Sequence, residues 1–163
     1  MNAFTKSGAL AIVISNDFWY MHLYSKDEDF DKSHQLTGQY YNNLADQADT
    51  LMEWAIQEGY PVLNNNTALA AFPEYVIEED VEYSYFEIVE RSKSKLSIFI
   101  NALRELRNFT DNSGIQSKID EWLQYWDKEV NYKLARRTAT TPSMLNGFIN
   151  SGLDNALAYT FGR

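Results

Sequence analysis

The 163-residue chain has no cysteine, only two histidines, three prolines and seven glycines. Without cysteine there can be no disulfide, no thiolate zinc site and no cysteine nucleophile. The histidines, His22 and His34, lie in neither a His-x-x-x-His nor a Glu-x-x-His motif. A zinc site on a single helix and the usual di-iron signature are therefore both missing. The glycines are scattered, so no glycine-rich phosphate loop is present, and nothing resembles a nucleophile elbow. No segment reaches the roughly 18 consecutive apolar residues that a membrane span requires. The apolar run from Gly8 to Ile14 follows Lys6 like a short signal core, but its pattern continues into Phe18, Trp19 and Met21. A buried first helix accounts for it, and a soluble, cytoplasmic protein is expected.

Bases are also scarce in the first half. Residues 1–90 hold 16 acids against Lys6, Lys26 and Lys32, whereas residues 91–163 hold 7 acids against 11 bases. The formal charge of −9 argues against a surface that coats nucleic acid. Lys133, Arg136 and Arg137 form the one modest basic cluster, read as complementing a helix dipole.

What the chain does contain is helical periodicity. A mostly apolar stretch from about residue 2 to 25 predicts a helix buried on much of its circumference. From about residue 31 to 58, Leu44, Ala48, Leu51 and Ala55 recur at helical spacing, and Gly59 with Pro61 supplies a stop. Residues 64–73 read as a long crossover with a short helix near 68–72. A third helix is expected over about 77–109, its opening acids Glu78, Glu79, Asp80 and Glu82 suiting the positive end of the dipole. The turn 110–114 ends it, and a fourth helix runs to about Arg137, striped by Ile115, Ile119, Trp122, Trp126 and Val130. Trp122 and Trp126 read as core or interface, and the acid run as a solvated helix start. Strand signals are nearly absent. The expected architecture is an all-α helical bundle over 1–138 with one long central connection, followed by a tail over 139–163 holding a short helix near 144–159.

Candidate chemistry lies early in the chain. An antiparallel helix pair with a short loop would bring His22, near the end of one helix, close to His34, near the start of the next. Asp49 and Glu53 stand four apart, so their carboxylates point the same way one turn apart. Imidazole and carboxylate together suit iron or another divalent first-row metal.

The order and spacing of His22, His34, Asp49 and Glu53 resemble the ferroxidase ligand pattern of the Dps (mini-ferritin) family. The flanking residues agree: the step Phe30-x-x-x-His34, then Tyr41, Leu44 and Ala45, then Asp49-x-x-x-Glu53 followed by Gly59-Tyr60-Pro61. The close match covers about residues 17–62. The resemblance implies a ferritin-like four-helix bundle with a long crossover between helices two and three, assembled as a homododecameric shell. It also implies a site at two-fold interfaces, where His22 and His34 of one subunit face Asp49 and Glu53 of its neighbour. Fe(II) would be oxidised there by hydrogen peroxide or oxygen and stored as ferric mineral. The chain departs from the pattern at Gly38, where the family commonly has a further Asp, at Leu23 in place of Trp, and at Trp54 in place of Arg. The alternative expectation is a non-catalytic ferritin-like shell or interaction protein with a degenerate metal site. The family also binds DNA, often through a lysine-rich tail, but the only base in this tail is Arg163, so DNA binding is expected to be weak or absent.

Overall fold

The computed structural model describes residues 1–26, 28–75 and 81–138. Among these the protein is all-α: α1 (Ala3–Leu23), α2 (Phe30–Gln57), α3 (Asn65–Ala71), α4 (Tyr85–Phe109), α5 (Ser113–Lys128) and the short α6 (Ala135–Thr138). A π-helical turn, Glu129–Leu134, joins α5 to α6. No strand forms among the described residues. One isolated parallel bridge, Ser25 to Tyr83, ties the α1–α2 loop to the segment entering α4. The expected tail helix near 144–159 lies outside the described residues.

Helix ends follow local chemistry. Side chains of Asn2, Asn64 and Asn112 accept backbone N–H groups of the first turns of α1, α3 and α5. Gly59 ends α2 with a φ of 78°, a conformation that an L side chain adopts only at a cost. The Tyr60 N–H then closes back on the Ala55 carbonyl at 2.7 Å.

The expected start of the third helix is corrected: it begins at Tyr85 rather than near residue 77. Ser84 and Glu87 form a reciprocal capping box, the Glu87 carboxylate accepting the Ser84 N–H at 2.9 Å. Just upstream, Tyr83 is held extended by hydrogen bonds to Tyr24 and Lys26, so the helix cannot propagate back through it. Of the opening acids, Glu82 precedes the helix, and Glu78, Glu79 and Asp80 lie outside the described residues.

The near-continuous apolarity of α1 has a two-sided cause. Leu10, Ile14, Phe18 and Met21 join the main core shared with α2, α4 and α5, while Ala9 and Val13 pack on Ala68 of α3. Trp126 sits fully buried in the main core, its indole N–H donating to Gln47 at 2.9 Å. Trp122 is half-buried and stacks on Trp54 with ring centroids 5.2 Å apart, so position 54 turns toward α5. No helix among the described residues is long and apolar enough to cross a membrane.

Candidate metal centre

The six-residue loop 24–29 reverses the chain, so the last turn of α1 faces the first turns of α2. His22 and His34 meet there, their rings stacked with centroids 3.5 Å apart and planes inclined by 24°. Phe30 stacks on the outer side of His34 at 5.1 Å, and Tyr41 meets His22 edge-on at 5.4 Å.

Two backbone carbonyls assign the tautomers. The His22 Nδ1 lies 2.8 Å from the His34 carbonyl oxygen, and the His34 Nδ1 lies 3.1 Å from the His22 carbonyl oxygen. A carbonyl oxygen only accepts, so each Nδ1 carries a hydrogen and donates it. When both rings are neutral, each Nε2 keeps its lone pair, and among the described residues neither Nε2 has a protein partner. A ligating histidine is commonly oriented in this way, with one ring nitrogen donating to a carbonyl and the other free for the metal. The arrangement also occupies the His22 carbonyl, one of the orphan acceptors in the last turn of α1.

Gly38 sits beneath this pair. A Cβ at position 38 would meet the His22 Cε1 at 3.2 Å and Nδ1 at 3.3 Å. The space where the resemblance expects another carboxylate is thus taken by the imidazole of His22. Nothing in the local sequence signals this, because the contact joins residues from two helices.

Asp49 and Glu53 lie farther along α2, both exposed and one turn apart. Fifteen residues separate His34 from Asp49, about 22 Å along the helix axis at about 1.5 Å per residue. Asp49 borders an open cavity of about 290 Å³ together with Ser15, Asn16 and Asn65, three polar neighbours not anticipated from the sequence. The structure therefore brings the two histidines together and keeps the two carboxylates together, but does not join the pairs within one chain. Among the described residues no cluster of three or more His, Asp or Glu side chains could hold a metal ion.

Two imidazole nitrogens or two carboxylates alone give a weak, open site, whereas all four would suit a borderline divalent metal such as Fe(II). Three large apolar side chains within four residues of a histidine along the chain are exposed, Trp19 at 45%, Leu23 at 52% and Phe30 at 42%, and Phe30 is the one stacked on His34. Compared with known proteins, the chain matches no family model and no curated sequence.

Proposed function

We propose that this protein is a Dps-like mini-ferritin that binds and oxidises Fe(II) at a site shared between subunits. The observation that carries the reading is the division of the ligands. Each chain offers a tautomer-locked histidine pair at one place and an exposed Asp/Glu pair about 22 Å farther along the helix that carries His34. A second copy related by a two-fold axis would set His22 and His34 of one chain against Asp49 and Glu53 of the other, twice per dimer. The exposure of the apolar Trp19, Leu23 and Phe30, each within four residues of a histidine along the chain, supports an interface there.

In this reading α1, α2, α4 and α5 form a ferritin-like four-helix bundle, and the connection from α2 to α4 is the long crossover between its second and third helices. Twelve copies close into a shell of roughly 230 kDa, from 18.9 kDa per chain. Fe(II) enters as substrate. Two Fe(II) ions give one electron each to hydrogen peroxide, which takes up two protons and leaves as two waters; with oxygen as the acceptor, further Fe(II) is consumed. The imidazoles hold and orient the metal, and the carboxylates neutralise the added charge of Fe(III) before it moves into the shell as ferric mineral.

Gly38 favours a second reading, a ferritin-like shell whose metal site no longer turns over, because the residue leaves one carboxylate fewer beside the histidines. One assay separates the two. Fe(II) is mixed with hydrogen peroxide and the ferric product followed by absorbance, for the wild type and for Asp49→Ala/Glu53→Ala. Faster oxidation by the wild type is expected, and equal rates would sink the enzymatic reading. Light scattering tests the assembly: a stable monomer would count against both the shell and a shared site.

A further inference from the structure

A second candidate site lies at the other end of the charge distribution. A cleft of about 510 Å³ opens between the first turns of α2, the start of α4 and α6. It is lined by Lys32, Gln35, Gln39, Tyr85, Arg136 and Arg137. Three cations, two carboxamides and a phenol converge there, and among the described residues no carboxylate lines the cleft. In a chain with a formal charge of −9, such a concentration of donors is a local reversal of the overall field.

Each of the three cations has a contact that positions it. The Arg137 guanidinium donates to the Tyr85 hydroxyl at 3.1 Å, bridging α6 to the first residue of α4. Arg136 lies over the Tyr132 ring with its guanidinium carbon 4.1 Å from the centroid. Lys32 has an exposed pairing with Asp29, an interaction that an incoming anion can exchange for a stronger one. Lys133, the third member of the basic cluster, pairs instead with the buried Glu129 and takes no part in the lining.

The π-helical turn sets this aim. It buries Glu129, Val130 and Leu134 together, and its i→i+5 bonding accommodates one extra residue. Deleting a residue there would rotate the following side chains by about 100° and turn Arg136 and Arg137 away from their present direction. Turns of this kind recur at functional sites.

We propose that this cleft binds a polyphosphate, either free or as the tail of a nucleotide. Forked guanidinium donors with an ammonium and amide N–H groups match the several oxygens of linked phosphates. The volume exceeds the needs of a single phosphate and lies in the range of small-molecule sites. The α4 capping box already pairs the Ser84 and Glu87 N–H groups, and the recognition proposed here is by side chains.

The test uses the full-length protein and isothermal titration calorimetry with inorganic tripolyphosphate, ATP and adenosine. Saturable binding of about one tripolyphosphate or ATP per chain is expected, with adenosine at least tenfold weaker. The Lys32→Gln/Arg136→Gln variant should lose about tenfold or more in affinity for each charge removed, the scale of a charge-assisted hydrogen bond. A Lys118→Gln variant, altered on an exposed residue of α5 outside the cleft, should bind as the wild type does. Circular dichroism confirms that each variant is folded. Equal affinity for tripolyphosphate and ATP would identify the phosphate chain as the ligand, and tighter ATP binding would identify a nucleotide; both support the site. Absence of saturable binding by either, unchanged affinity in the folded double variant, or adenosine binding as tightly as ATP would overturn it. So would duplex DNA displacing tripolyphosphate at physiological salt with a several-fold advantage per phosphate, since the cleft would then belong to a nucleic-acid surface.

Discussion

Replacing Gly38 by alanine should destabilise this protein, although the same change elsewhere in a helix interior stabilises by about 1 kcal/mol. The added methyl would press on the His22 ring at 3.2–3.3 Å. That ring cannot retreat freely. Its Nδ1–H is bound to the His34 carbonyl at 2.8 Å, one face lies on His34 at 3.5 Å between centroids, and its edge meets Tyr41. Overpacking of a well-filled site costs about 1–3 kcal/mol, and a weakened hydrogen bond adds about 1 kcal/mol. Set against the propensity gain, the net expectation is a loss of about 1–3 kcal/mol. Urea unfolding of Gly38→Ala measures it, and the His22→Ala background supplies the control. With the imidazole gone, the Gly38→Ala change should turn stabilising by about 0.5–1 kcal/mol, so the sign reverses across the cycle. If Gly38→Ala stabilises the wild type, or shifts both backgrounds equally, Gly38 is not the seat of the His22 ring. Co(II) binding followed by its absorbance should weaken in the single variant, because the displaced ring no longer holds its stacked position.

Two further outcomes follow from buried charge. Asp17 is 1% exposed, and Lys95 approaches its Oδ2 to 2.6 Å. Burial raises its carboxyl above the ordinary 3.8, against the opposing pull of Lys95. The folded state therefore holds that proton more tightly than the unfolded state, and this residue's contribution to stability falls as pH rises from about 3.8 through the raised value. Asp17→Asn should flatten that part of the stability–pH curve in urea titrations, and an unaltered slope would refute the assignment. Tyr40, fully buried, donates to the Glu129 carboxylate at 2.9 Å; burial first, and the carboxylate second, push its phenol far up, so it stays a donor at ordinary pH. Tyr40→Phe should cost about 1.5–3 kcal/mol, the scale of a hydrogen bond to a charged group. A neutral result in chemical denaturation would mean that Lys133 alone satisfies Glu129.

Much of the helical layout was legible because its signals are local. Periodic apolar positions marked α2, α4 and α5, and Gly59 marked a stop that depends only on its own backbone conformation. The start of α4 was misplaced because an acid-rich run suits a helix dipole, while the decisive Ser84/Glu87 box is reinforced by Tyr83 pairing with Tyr24 and Lys26 across the fold. The π-helical turn had no sequence signal. Its first residue, Glu129, accepts from Tyr40, 89 residues earlier in the chain.

The sequence by itself determined that the protein is helical, that α1 is buried nearly all round, and that His22 and His34 fall at facing helix ends. Each follows from spacing along one chain, and such spacing carries the periods of 3.6 residues and short reversals. Only the tertiary structure decided that each imidazole donates through Nδ1, that Gly38 makes room for a ring, and that Arg136 joins Lys32 in one cleft. Those outcomes rest on contacts between separate helices, whose rotation and register are set by packing of the whole core.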